Sequence, residues 1–202
     1  HDIRGTDDRA GRVFRANVPA TCGSCHQGVL DKYKTGIHGV TRAAGNDKAP
    51  VCIDCHTAHG IQRTDTDASR LGVTAECGTC HAESMRTYRD TFHGQVTRLW
   101  FVQVATCADC HGAHDIFPKA DARSMVNAAN RVTTCRKCHA TANENFAQYD
   151  PHADRHDKAR SASLYYTGKF MDGLLITVFG FFGIHTALWL GRGLRERGRG
   201  KK

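Results

Sequence analysis

Every cysteine in this 202-residue chain belongs to a Cys-x-x-Cys-His unit, and there are five such units. They are Cys22-Cys25-His26, Cys52-Cys55-His56, Cys77-Cys80-His81, Cys107-Cys110-His111 and Cys135-Cys138-His139. A disulfide framework would use the thiols but gives no reason for a histidine after every pair. A zinc site takes Cys-x-x-Cys as half of a tetrahedron and completes it with a second pair or with spaced histidines. Covalent c-type haem attachment uses all three residues: two thiols reach the two vinyl groups and the adjacent imidazole reaches the iron. Five copies with no thiol to spare select this third reading, and five covalently bound haem c groups are expected. Such attachment takes place outside the cytoplasm. The opening "HDIRGTDDRA" therefore reads as a mature N-terminus from which an export signal has been removed.

The spacing repeats. Cys22, Cys25, His26, His38, Cys52, Cys55, His56 and His59 recur 55 residues later as Cys77, Cys80, His81, His93, Cys107, Cys110, His111 and His114. Tyr33 and Tyr88 both lie seven residues past the motif histidine; Phe146 takes that place in the fifth unit, where His152 falls one residue later than strict spacing predicts. The chain thus reads as two two-haem modules and a half module. His114 follows His111 by three residues, too few to wrap to the opposite porphyrin face, so it is expected on the iron of a different haem. His59 stands in the same relation to His56. With His38, His93 and His152 these make five distal histidines for the five proximal ones, His26, His56, His81, His111 and His139. His156 is the nearest competitor of His152, and His1 reads as the free end of the chain.

An iron closed by two imidazoles passes electrons, whereas reductive chemistry on a small molecule needs an open position. No hydrolytic triad or phosphate-binding loop is present. The sequence favours an electron carrier with no catalytic residues of its own. The alternative is a multihaem reductase of small nitrogen or sulfur oxyanions with one five-coordinate haem. The formal charge of +8 does not indicate a nucleic-acid partner, because the tail "RGLRERGRGKK" holds six of the basic residues against one glutamate. The remainder carries 22 basic and 19 acidic residues, and five haems would add propionates to it.

Between the motifs, stretches such as "AAGNDKAP" and "IFPKADA" are turn-rich and polar. "QGVLDKYKT" and "AESMRTYRD" read as short helices, with Leu30/Tyr33 and Met85/Tyr88 on one face, and "RLWFVQVAT" reads as a short strand. Trp100 and Phe101 are expected to pack on a porphyrin. The fold class is mostly irregular with short α-helices, a haem-packed domain followed by one transmembrane helix. The expected boundaries are a periplasmic domain over 1–158, a membrane-proximal linker over 159–169, a spanning helix over 170–191 and a basic cytoplasmic tail over 192–202. "FMDGLLITVFGFFGIHTALWL" has the length to cross a bilayer once, and the tail after it places the C-terminus inside by the positive-inside rule. Membrane lipid is then one partner. His185 lies within that segment. It reads as a ligand to a b-type haem shared with a partner helix, as part of a quinone pocket, or as a hydrogen-bonded helix contact.

The five units, together with "PHADRHDKARSASLYYTGKFMDGLLITVFGFFGIHTALWLGR", resemble the membrane-bound multihaem cytochromes c that accompany, or are fused to, the di-haem cytochrome b of formate dehydrogenases and thiosulfate reductases. The resemblance implies haem attachment at the five units and b-haem ligation at His185. It also implies an integral membrane partner, either a cytochrome b or another quinone-reactive subunit, and periplasmic redox proteins as exchange partners. The chain departs from that family in carrying one spanning helix, so the quinone-reactive domain is expected on a separate subunit or on a part of the polypeptide outside this sequence. Mass spectrometry of the denatured purified protein is expected to show five haem additions; four or fewer would break the count.

Overall fold

The structure, a computed structural model, describes residues 3–199, and the chain divides into two compact units between Pro151 and His152. His1 and the end of the basic tail, residues 200–202, lie outside the described residues. The fold is helical over 57% of its length, with no strand among the described residues, so it is more regular than the expected mostly irregular chain.

Among its described residues the first unit has nine short α-helices: α1 (Val18–Gly23), α2 (Gln27–Thr35), α3 (Ile37–Ala43), α4 (Cys52–His56), α5 (Asp67–Cys80), α6 (Ala82–Asp90), α7 (Phe92–Arg98), α8 (Cys107–His111) and α9 (Arg131–Arg136). The two helices expected from sequence are α2 and α6. Leu30, Met85 and Tyr88 are buried from them, and Tyr33 is half-buried. The stretch 98–106, expected as a strand, instead ends α7 in a turn at Leu99 and Trp100 and continues without regular structure. Trp100 there adopts φ 66°, outside the extended region a strand needs, and no second strand offers a ladder.

The 55-residue repeat is a repeat of geometry. Helices α2, α3 and α4 recur as α6, α7 and α8 with equal lengths. The Tyr33 hydroxyl donates to the Pro50 carbonyl at 2.9 Å, and the Tyr88 hydroxyl donates to the Ala105 carbonyl at 2.9 Å. Each tyrosine thereby ties its helix to the chain just ahead of the next motif helix. The first helix of each pair ends where the second begins. A Cβ at Gly39 would overlap the Tyr33 carbonyl, and one at Gly94 would overlap the Tyr88 carbonyl, so both positions require glycine. Left-handed backbone also recurs at matched positions: Gly45 (φ 91°) with Trp100 (φ 66°), and Thr57 (φ 62°) with Gly112 (φ 85°).

The aliphatic core of this unit is thin. Its wholly buried side chains are small, Val51, Val102, Thr87 and Ser124 being the largest. A unit of this length ordinarily buries a continuous apolar centre.

The second unit contains one long helix, α10 (Ala162–Arg199), of 38 residues. It runs through part of the expected linker, the whole expected span and the start of the tail, a length of about 57 Å. It is long and apolar enough to cross a membrane, and none of its described residues is buried.

Two substitutions test the backbone. Thr57→Gly is expected to raise stability by about 0.5–1 kcal/mol, because a β-branched residue there holds a conformation that glycine adopts freely. Gly94→Ala is expected to cost about 2–3 kcal/mol through the clash with the Tyr88 carbonyl. Thermal denaturation of the purified protein measures both.

Candidate functional site

Each Cys-x-x-Cys-His unit is a single helical turn. His26 and His81 return their backbone N–H to the first cysteine's carbonyl at 3.0 and 2.9 Å, and His139 does so at 2.9 Å. Both thiols of a unit and its imidazole are thereby fixed on one short piece of backbone. All ten cysteines are free thiols, none of them buried.

The second and fourth units, α4 and α8, start on a carboxylate. Asp54 accepts from the Val51 N–H at 2.6 Å, and Asp109 accepts from the Thr106 N–H at 2.8 Å and the Thr106 hydroxyl at 2.7 Å. Each carboxylate also receives an arginine 39 residues before it. Arg15 donates to both oxygens of Asp54 at 2.9 and 2.8 Å, and Arg70 donates to Asp109 at 3.2 Å. Burial pushes the Asp54 carboxyl up, but the Arg15 guanidinium and the Val51 N–H outweigh it and hold the group below the usual carboxylate range. The two ion pairs are the same contact in two repeats. They dock α4 against the turn that leads into α1, and α8 against α5.

Thiols of neighbouring units then meet. Burial, with the neighbouring Cys22 thiol second to it, pushes Cys52 up to about 11. Cys77 and Cys107 stand in the same relation: the Cys107 thiol brings Cys77 down to about 7, and the Cys77 thiol pushes Cys107 up.

Six of the ten histidines expected as iron ligands come together in three facing pairs. His38 faces His81 with ring centres 6.3 Å apart and planes 28° apart. His56 faces His114 at 6.0 Å and 25°, and His93 faces His139 at 6.0 Å and 47°. At these separations the rings are not in van der Waals contact. A metal–imidazole bond of about 2 Å, with about 1 Å more from nitrogen to ring centre, places two imidazoles on one ion about 6 Å apart. The three pairs fit that span. Burial, followed by the facing histidine, lowers the pKa of His38 and of His93. The same two causes, in the same order, lower that of His114. A neutral imidazole is the form that donates to a metal. Among the described residues no three His, Cys, Asp or Glu side chains converge on one point. A haem iron takes two protein ligands, and each pair offers two imidazoles at a fitting separation.

In every pair one histidine belongs to a motif and the other comes from a different repeat. His38 and His93 sit in the first turns of α3 and α7. His114 lies in a loop strapped to the start of α3, where the Ile37 N–H donates to the Ile116 carbonyl at 2.7 Å. His114 stands opposite His56, a histidine of a different unit from that of His111. Phe146 lies against His139 with ring centres 4.9 Å apart, the aromatic position expected in the fifth unit.

His26 and His59 are exposed and face no ring among the described residues. His111 is half-buried at the end of α8. In the second unit His152 is half-buried, and His156 accepts a hydrogen bond from Arg155 Nε at 3.2 Å. His185 is exposed on α10, and its ring lies parallel to that of Phe181, 6.5 Å between centres. Trp100 and Phe101 are exposed.

The Arg15–Asp54 and Arg70–Asp109 pairs were absent from the sequence reading, although all four residues obey the 55-residue offset and could have been found by it. A second correspondence was also missed. Asn17 donates to the Arg9 and Gly11 carbonyls, and Asn130 donates to the Ala122 and Ser124 carbonyls, 113 residues on. Thr21 to Arg12 and Thr134 to Met125 repeat at the same offset. The approach to the first unit is thus built like the approach to the fifth.

Asp54→Asn and Asp109→Asn are each expected to cost about 1–2 kcal/mol, through the loss of a charged cap and of a half-exposed ion pair. Chemical denaturation of each variant checks this, and near-equal losses are expected from the two repeats. No protein-family model, curated protein or solved structure matches the chain.

Proposed function

We propose that the chain is a membrane-anchored pentahaem c-type cytochrome that relays electrons between a quinone-linked membrane partner and periplasmic redox proteins. The observation that carries this reading is the set of three imidazole pairs, each 6.0–6.3 Å apart, each with a Cys-x-x-Cys-His unit as one member. Haem c bound at such a unit supplies one-electron chemistry at iron. The thiols Cys22, Cys25, Cys52, Cys55, Cys77, Cys80, Cys107, Cys110, Cys135 and Cys138 would hold it. The neutral imidazoles of His38, His93 and His114 would close the irons of the third, fifth and second units, shutting out substrate and favouring electron passage over chemistry.

Helix α10 supports the membrane anchor by its length and apolar composition. The arginines at its C-terminal end, Arg192, Arg195, Arg197 and Arg199, support an inner-membrane orientation with that end in the cytoplasm and the motif-bearing unit in the periplasm. His185 in the middle of α10 supports docking to an integral membrane subunit, with a shared b-type haem as the group it would ligate.

A second reading, a reductase with one open iron, draws on His26, which faces no second imidazole among the described residues. Electron paramagnetic resonance of the oxidised protein separates the two. The relay is expected to show low-spin iron throughout, and a stoichiometric high-spin ferric signal at neutral pH would favour the reductase. His114→Ala is expected to keep all five haems and to convert one of them, that of the His56 unit, to high spin. Loss of a haem, or a spectrum unchanged from the parent protein, would break the assignment.

A further inference from the structure

The relay reading leaves open in which order the five units stand, and four sets of contacts bear on it. The first and second units meet where α1 packs on α4, with the Arg15–Asp54 ion pair at 2.8 Å just ahead of α1. The second and third meet where α4 packs on α5. The third and fourth repeat the first arrangement. There α5 packs on α8 and Arg70 reaches Asp109 at 3.2 Å. The fourth and fifth are joined through Met125. Its sulfur receives Lys137 Nζ, inside the fifth motif, at 3.9 Å, and would lie 3.8 Å from a Cβ placed on Gly112, the residue after the fourth motif.

We infer that the five attachment units stand in single file in the order of the sequence. The ends of the file are the Cys22-Cys25-His26 unit and the Cys135-Cys138-His139 unit. This inference rests on the haem reading. Each transfer is a single-electron hop that oxidises one ferrous iron and reduces the next ferric one, with no bond made or proton moved.

The test uses the haem-loaded chain. With ten cysteines in thioethers, Asp7→Cys provides one free thiol ahead of the first unit for a ruthenium photoreductant, used with a sacrificial amine donor. His93→Met gives the fifth unit a methionine ligand, raising its potential and marking its spectrum. After a flash, the electron is expected to reach the marked fifth unit in a fast phase. Adding Cys77→Ala/Cys80→Ala, which removes the third haem, is expected to abolish that phase while the first and second units still accept the electron. An unchanged arrival rate would overturn the single file. Should the truncated variant fail to mature, iron positions in a haem-loaded structure of the parent protein decide: consecutive irons are expected to be nearest neighbours, and a closer non-consecutive pair overturns the order. Fewer than five haem additions in the parent mass would overturn the haem reading and the order with it; five additions with an unchanged arrival rate overturn the order alone.

Discussion

Imidazoles from different repeats face one another in the first unit, 6.0–6.3 Å between ring centres, and the proposed function depends on them. A helix of five to nine residues has little stability alone, since nucleation costs more than so few hydrogen bonds return. The chain also offers few large aliphatic side chains to hold such helices together. What it offers is a set of histidines at fixed spacing from fixed thiols. His38 on α3 meets His81, His93 on α7 meets His139, and His114 meets His56. In each case the pairing ties a motif to a segment from another repeat. In the proposed loaded protein these ties would be metal bonds, and the porphyrins would take the place of the missing core.

Around those pairs, each repeat solves the same local problems with the same residues. A tyrosine hydroxyl on a carbonyl seventeen residues away sets the path between motifs. A glycine permits α3 to start against the end of α2, and α7 against the end of α6. An arginine on a capping aspartate seats α4 and α8. Where the copies differ, the difference is instructive. Position 45 is glycine and position 100 tryptophan, yet both have positive φ; Thr57 and Gly112 show the same in reverse order. A tryptophan and a threonine accept this backbone path at a cost that glycine avoids.

Much of this was legible in the sequence because it is periodic. The 55-residue offset located the motif turns, the helices α2 and α6, and the histidines outside the motifs. The step from His111 to His114 was enough to send His114 to another unit. The strand assigned to 98–106 failed because a run of large apolar residues cannot distinguish a strand from an exposed turn. The ion pairs went unread for a different reason: Arg15 and Asp54 are 39 residues apart, and nothing local joins them. Only applying the offset to charged residues, as was done for histidines, would have shown that Arg70 and Asp109 form the same couple. Pairing partners among the histidines could not be read at all, because spacing says which residues are equivalent and not which ones meet.

Those partners follow a rule that the geometry makes visible. The histidine after the first motif faces the third, the one after the third faces the fifth, and the one after the fourth faces the second. Every observed pairing therefore skips one unit. Backbone packing and ion pairs, by contrast, join consecutive units, α1 to α4, α4 to α5 and α5 to α8. In the proposed loaded protein the two sets of links would interleave, with neighbours held by helix contact and next-neighbours by imidazoles on iron. A chain braced in that way could not slide one motif past another without breaking a link of each kind. Such bracing would suit the proposed relay, in which the separation between successive carriers must be kept constant although the aliphatic core is thin.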